Sequence, residues 1–478
     1  MAMTNRKKAL FINGEWVEAQ VYSKLFSPYS EEVIGEIPSA TPEEVNKAIE
    51  AASSAREVMA KMPAHQRAAI LERLVDLMEK RSDEAARIIA LEAAKPISTA
   101  KDEVARTIQT YKFAAEEAKR IHGETLPIDA APGGENRVAY TVREPLGVIG
   151  AITPFNFPMN LVAHKVGPAI AAGNTIVLKP ASQTPLSSYF LAELLQEAGL
   201  PAGALNVITG SGTVVGDKLV SDNRIKAITF TGSPAVGIGI RNKAGLKRVT
   251  LELGSNAALI VDKGVDIDKI ISRCVKGAFS FQGQVCISLQ RVYVHDSLYE
   301  SFVEKFVEAT KNLQIGDPLD PKTDVSALIS KDDVERSLDW IEEAKARGAE
   351  VAFGGTAEGN ILVPTVLLHA DANLKVSCQE VFAPIVLINK VHTVEEAFDL
   401  VNDSRYGLQA GIYTENVHTA LLAAEKLHVG GVMINDIPTF RVDNMPYGGV
   451  KESGTGREGI KYAVEEMTEL KLVVFNRN

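Results

Sequence analysis

The apolar residues of this chain follow two periodicities. Over residues 42–92 they recur at three- and four-residue spacing, through TPEEVNKAIEAASSAREVMAKM and HQRAAILERLVDLMEKRSDEAARIIALEAA, which predicts helices. Thr41 stands before the first stretch, with Glu43 and Glu44 in its first turn, the pattern of a capped helix start. A third helical stretch, TAKDEVARTIQTYKFAAEEAKRI, ends near His122–Gly123. Turn residues then cluster around Pro132–Gly134, and RVAYTVRE alternates at period two, predicting a strand that leaves the helical body. From residue 147 the apolar runs GVIGAITP, NTIVLKPA, ALNVITGSG, KAITFTGS and VTLELG alternate with helical stretches. Continuous apolar strands between helices imply a parallel sheet covered on both faces, with ligands at the carboxyl ends of its strands. A second α/β pattern spans about 257 to 440, through ALIVD, RVYVH, a helix around DDVERSLDWIEEAKARG, APIVLINKV and GGVMIND. The end, ELKLVVFNRN, is a β-rich tail that can add to a sheet of the same chain or of a partner. No internal repeat or low-complexity segment interrupts this order.

Composition narrows the class. A chain of 478 residues calls for two or three domains. At 46% hydrophobic and 23% charged residues it reads as a soluble globular protein. Its net charge of -10 argues against nonspecific binding to nucleic acid or an anionic membrane, while leaving room for an anionic substrate held by local arginines. The three cysteines, Cys274, Cys286 and Cys378, form no disulfide framework and no CxxC pair, and the eight histidines form no metal pattern. The start, MAMTNRKKALFINGEW, is basic, but its apolar part is too short for a signal peptide, and no run approaches the ~20 residues of a membrane span. The expectation is a cytoplasmic protein with no metal.

Candidate chemistry sits in the loops that end the first set of strands. TPFNFP (153–158) holds Asn156 between prolines that stiffen the loop, either as an oriented amide or as an Asx-type turn. LKPAS (178–182) places Lys179 where it can meet a phosphate or ribose, or simply be solvated. GSGTVVG and FTGSPAVG put glycine and serine where a strand hands over to a helix, a setting that favours phosphate. Two such loops on successive strands point to a dinucleotide, although neither matches the standard glycine-rich fingerprints. TLELGSN (250–256) carries Glu252 in an apolar run, where burial raises a carboxyl pKa toward that of a general base, unless the residue is half of a structural ion pair. FSFQGQVCIS (279–288) surrounds Cys286 with small and polar residues, which suggests an exposed thiol at the edge of a buried element. Cys274, at helical spacing in KIISRCVKGAF, reads as a core thiol.

Seven stretches, in order TPFNFP, LKPASQTP, FTGSPAVG, LELGSNAALIV, FQGQVC, QEVFAPI and PYGGVKESGTGREG, together resemble the aldehyde dehydrogenase superfamily over essentially the whole chain. The resemblance implies that Cys286 is the nucleophile that adds to the aldehyde carbon. It implies that Asn156 and the Cys286 backbone N–H hold the oxyanion, and that Glu252 activates water to hydrolyse the thioester left after hydride transfer. On the cofactor side it implies NAD or NADP bound by Thr153, Pro154, Phe155, Lys179, Ser182, Gly212, Gly216, Phe230, Gly232, Ser233, Glu380 and Phe382. Members that prefer NAD commonly carry glutamate where this chain has Ser182. Serine removes a charge that repels a 2′-phosphate by ~1 kcal/mol at 4 Å in water, so NADP is expected to be tolerated.

The branch it most resembles contains lactaldehyde, non-phosphorylating glyceraldehyde-3-phosphate, and phosphonate- or sulfonate-aldehyde dehydrogenases. Arg106, in EVARTIQTYKFAAEEA, and Arg441, in FRVDNMPYGG, match substrate arginines of that branch, the second with a one-residue slip. Phe157 replaces a tyrosine and Val285 an arginine, so a full phosphate clamp is incomplete. The expected substrate is a short hydrophilic aldehyde, lactaldehyde-like or with a small anionic group. Succinate semialdehyde, glyceraldehyde 3-phosphate, a CoA-acylating reaction and a non-catalytic binding role are the alternatives. The family fold implies α/β architecture with two doubly wound parallel-sheet domains: 1–126 with 146–254 for the cofactor, and 255–450 for catalysis. Residues 127–145 and 451–478 are expected to form an oligomerisation arm and tail that build a homodimer or homotetramer.

Overall fold

A computed structural model describes residues 7–477; residues 1–6, the start of the basic N-terminal stretch, and residue 478 lie outside the described residues. The first sheet has eight strands in the order Glu15–Val17, Leu10–Ile12, Leu205–Val207, Thr175–Lys179, Val148–Ile152, Ile225–Thr231, Arg248–Glu252 and Gly454–Thr455. Neighbours from Leu205–Val207 through Arg248–Glu252 run parallel, and the outer strands run antiparallel. Side chains alternate between faces along each strand, so Ile176 and Leu178 join one core while Val177 joins the other. The first core packs Leu71, Leu74, Tyr111 and Val166 from the helices Ala64–Lys80, Ile97–Ala118 and Asn160–Ala172. The second packs Ile49 and Ala52 of Pro42–Lys61. That helix starts with the capping box anticipated at Thr41, whose side chain and Glu44 satisfy each other's backbone N–H.

The second sheet has seven strands, ordered Glu350–Phe353, Thr365–Leu368, Ile385–Val391, Arg291–His295, Ala258–Val261, Gln409–Tyr413 and Gly431–Ile434, with only the first antiparallel to its neighbour. In a third, small sheet Thr468–Asn476 pairs along its whole length with Arg137–Pro145. Leu470, Leu472, Val474 and Phe475 of that strand are exposed.

The sequence reading placed no strand before residue 42, and the structure has four: Leu10–Ile12, Glu15–Val17, Val21–Phe26 and Val33–Ser39. The first two form a hairpin closed by Asn13–Gly14, at φ 54° and 77°. That is the left-handed pair an Asn-Gly turn supplies, but its strands of three residues are too short to show a period. The stretch TVVGDKLVS is not one helix but a wide helical turn, Gly212–Gly216, followed by Asp217–Ser221. No described helix is long and apolar enough to cross a membrane.

Candidate active site

Asn156 and Glu252 come from the carboxyl ends of two parallel strands of the first sheet, and Cys286 from a turn that follows the helix Ile267–Phe279 of the second unit. Phe281, Gln282 and Gly283 are successively left-handed, at φ 48°, 55° and 68°, which swings the chain back toward the first sheet. A Cβ on Gly283 would overlap the Ala383 carbonyl, so only glycine fits there. The polar neighbours of Cys286 are anchors rather than solvated groups. Gln282 Nε2 donates to the Ala94 and Ala327 carbonyls (3.0 and 2.8 Å), and Gln284 Oε1 accepts the Ile329 N–H (3.0 Å). The thiol is accordingly half-buried, not exposed as its neighbours' residue types suggested. Cys274 is in the core as anticipated.

Cys286, Asn156, Glu252, Arg106 and Arg441 line one cavity of about 270 Å³. The buried Asn156 amide donates one N–H to the Gln284 carbonyl (2.9 Å), which leaves its second N–H uncommitted. Burial pushes the Cys286 thiol well above its ordinary range; Glu380 and Glu252 add to the rise and Arg441 opposes it. Glu252 is buried with no hydrogen-bond partner on either carboxylate oxygen. Burial, then the charge of Glu458, raises its pKa well above the carboxylate range. Burial would also raise Glu458, but Lys165, His164 and Arg441 outweigh it and hold that carboxyl low. Lys165 Nζ donates to Glu458 (2.9 Å), Thr231 (2.8 Å) and Thr229 (3.2 Å). One carboxyl is thus held as an anion, while burial and that neighbouring charge favour the protonated form of the other.

Both substrate-arginine candidates reach the cavity, each already matched with a carboxylate. Arg106 binds Asp443 through Nη2 (2.7 Å) and Nε (3.1 Å). Asp443 also takes hydrogen bonds from His164 (2.8 Å) and Asn160 (3.1 Å). Arg441 lies 3.6 Å over the Tyr447 ring and donates to Glu458 (3.0 Å), while its buried Nε–H has no partner. Phe157 lines the cavity edge-on to Phe281, at 6.2 Å, and Val285 lines it beside Cys286.

The residues assigned to the cofactor gather along the carboxyl ends of the first sheet and on the loop after Cys378. Lys179 is buried at a strand end, and the only hydrogen bond of its ammonium among the described residues goes to the Pro180 carbonyl, at 3.3 Å. Thr153 Oγ1 is buried without a partner, Pro154 and Phe155 are half-buried, and Ser182 is exposed. Gly212 opens the wide turn with free space where a Cβ would sit, and Gly216 closes it. Ser233 stands at the N-cap of Pro234–Lys243 and makes no cap hydrogen bond. Gly232 rests on the ring of Phe230, which is 5% exposed and belongs to the core beneath. Glu380 accepts the Ser255 N–H (2.9 Å), and burial pushes its carboxyl up to about 7. Phe382 packs edge-to-face on Phe155 at 5.7 Å. An ammonium without a carboxylate, uncommitted hydroxyls, an open helix start and a half-satisfied carboxylate suit the phosphates and riboses of a nicotinamide dinucleotide. No group of His, Cys, Asp and Glu among the described residues can hold a metal ion.

Sequence reasoning missed His164, Lys165, Asp443, Glu458 and Tyr447. One signal was present: His164 and Lys165 are a polar pair inside LVAHKVGPAIAAG, a helix whose every residue is buried.

The model of the aldehyde dehydrogenase family matches residues 16–473. The chain is 46% identical over 471 residues to the 3-sulfolactaldehyde dehydrogenase of Priestia aryabhattai, covering 98% of each chain. It superposes on aldehyde dehydrogenase 21 from Physcomitrella patens, solved in complex with the reaction product succinate, with TM-score 0.97 and 40% identity over 99% of both chains. It superposes on the glyceraldehyde-3-phosphate dehydrogenase GapN of Methanocaldococcus jannaschii, complexed with NADP, with TM-score 0.92 and 42% identity over 96% of this chain and all of that one. With nearly its whole length matched, and a cysteine, an asparagine and a buried glutamate meeting in one cavity, the chain belongs to the aldehyde dehydrogenase family.

Proposed function

We propose that this protein oxidises a short hydrophilic aldehyde, lactaldehyde-like or bearing a small anionic group, to its carboxylic acid with NAD or NADP. Cys286 attacks the aldehyde carbon as the thiolate. The free Asn156 N–H and the Cys286 backbone N–H receive the oxygen as it becomes negative. Bound NAD(P) supplies the hydride acceptor. Glu252, unpaired and with its pKa raised by burial, then takes a proton from water as it attacks the Cys286 thioester, which favours an acid product over transfer to CoA.

The observation that carries the substrate class is Arg441, which lines the cavity that holds Cys286 and keeps a buried Nε–H without a partner. An oxygen of the substrate completes it, and Arg106 lies across the same cavity. The relatives named above act on aldehydes whose far ends differ, so the size and shape of that end decide among them. Ser182 places no carboxylate near the 2′ position, which supports use of NADP. Residues 1–126 with 146–254 serve the cofactor and 255–450 the aldehyde. Residues 127–145 and 451–478 join subunits into a homodimer or homotetramer through the exposed apolar side chains of Thr468–Asn476. Three free thiols suit a reducing cytoplasm.

The test is kcat/KM for 3-sulfolactaldehyde, lactaldehyde, succinate semialdehyde, glyceraldehyde 3-phosphate and benzaldehyde, with each dinucleotide. One short hydrophilic aldehyde should lead by at least about tenfold, the worth of one buried charged hydrogen bond. Benzaldehyde as the best substrate overturns the substrate class, and turnover only with CoA overturns the acid product.

A further inference from the structure

Lys95 lies in the three-residue connector between the helices Ser82–Ala93 and Ile97–Ala118, after Ala94, which is left-handed at φ 49°. Its side chain is fully buried yet does not line the cavity. It forms an ion pair with Glu103, also fully buried, and donates to the backbone carbonyl of Asn156 at 2.6 Å. Its ammonium lies 3.7 Å from the centre of the Phe157 ring and 4.2 Å from that of Phe281. One ring follows Asn156 directly, and the other stands in the turn that leads to Cys286. Glu103 Oε1 accepts the N–H groups of Met159 and Asn160, at 3.0 and 3.2 Å, which tethers the far end of the Asn156 loop. From the other side Gln282 Nε2 donates to the Ala94 carbonyl at 3.0 Å. One buried cation and its carboxylate thus touch both walls of the oxyanion site.

Burying an ion pair is weak support for stability, because well-packed apolar residues commonly do as well. Its distinguishing property is directional: it fixes where the Asn156 backbone sits relative to the Cys286 turn. We propose that Lys95, held by Glu103, is a positioning residue that sets the spacing between Asn156 and the Cys286 backbone N–H. This rests on the reading of Asn156 as the oxyanion donor. A misplacement of about 1 Å in such a site is worth about 10²-fold in rate.

Lys95→Met alone strands Glu103 as an unpaired buried charge and costs stability for that reason. The variant to measure is Lys95→Met/Glu103→Gln, which keeps an oxygen for the Met159 and Asn160 amides and removes both charges. It should unfold cooperatively within a few degrees of wild type. Its kcat should fall about 10- to 100-fold, with KM for aldehyde and dinucleotide within about twofold. Asn156→Ala should lose about 10²–10³ in kcat, the usual worth of an oxyanion donor. Adding the pair of changes to Asn156→Ala should cost less than about threefold more, because a spacing that serves Asn156 has nothing left to serve. Wild-type kcat in the double variant, or the same factor lost in both backgrounds, overturns the proposal and leaves the oxyanion reading standing. Wild-type kcat in Asn156→Ala overturns both.

Discussion

Replacing Glu252 by glutamine separates the two halves of the reaction. Neither Glu252 oxygen has a hydrogen-bond partner among the described residues, so the amide breaks no existing contact. Burial and the charge of Glu458 raise the pKa of this carboxyl, so a neutral amide is an environment-matched replacement. The variant should fold as wild type, with stability changed by no more than about 1 kcal/mol. What it loses is the proton acceptor for water. A positioned general base contributes about 10²–10⁴ in rate, so kcat should fall by at least about 10², or about 2.7 kcal/mol. In the proposed mechanism acylation of Cys286 does not use that base. Rapid mixing with aldehyde and saturating dinucleotide should therefore show a fast first turnover, about one reduced dinucleotide per Cys286, followed by slow release of acid. A kcat within about threefold of wild type would refute the assignment of Glu252. A deep loss of turnover without the initial burst would also refute it, by placing Glu252 before the thioester.

Other perturbations address the remaining parts of the site. Alkylation of Cys286 by iodoacetamide should accelerate through the alkaline range, since burial raises its pKa, and should slow in Arg441→Met, which removes the charge that opposes the rise. A rate that is flat with pH or faster in the variant contradicts this. Arg441→Met should also raise KM for hydroxylated or anionic aldehydes by about 10- to 100-fold, the worth of a charged hydrogen bond, and change KM for benzaldehyde far less. Ser182→Glu should raise KM for NADP and spare NAD. Repulsion of about 1 kcal/mol in water, or about 4 kcal/mol at an effective dielectric constant of 20, corresponds to between about 5-fold and several hundredfold. Finally, burial would raise Asp443, but its bonds to His164 and Arg106 prevail and hold it below the ordinary carboxylate range. Its stabilisation is therefore present above the unfolded aspartate pKa and is lost as pH falls through the acid range. Urea midpoints measured downward from pH 6 should drop less steeply in Asp443→Asn than in wild type.

Elements built on long local signals were legible from residue order alone. The helices over residues 42–118 carry a period that repeats several times, the parallel strands stand out as continuous apolar runs between helices, and Thr41 announces its helix with a cap that the structure contains. Cys286 and Glu252 stood out against their surroundings, Asn156 could equally be an Asx-type turn, and it was the resemblance to the family that grouped the three residues the structure brings to one cavity. The ion pairs that tune them were not. His164 meets Asp443 across 279 positions and Lys165 meets Glu458 across 293, so no local pattern links the partners. The same holds for Arg106, whose partner Asp443 is 337 positions away. Gln282 and Gln284 misled for a related reason: residue type suggests solvent, but their amides are spent on backbone carbonyls and an N–H that only the folded chain brings within reach. The short hairpin at Asn13–Gly14 carried a turn signal without strands long enough to support it.

The claim on which the rest depends is that Cys286 carries the acyl group. The direct measurement is reduced-dinucleotide formation by wild type and by Cys286→Ala with the best aldehyde of the panel, together with the mass of the peptide containing residue 286 after rapid acid quenching. The account predicts turnover with an acyl mass on that peptide in wild type, and neither in the variant. Turnover that survives in Cys286→Ala, or an acyl mass on Cys274 or Cys378 instead, would contradict it.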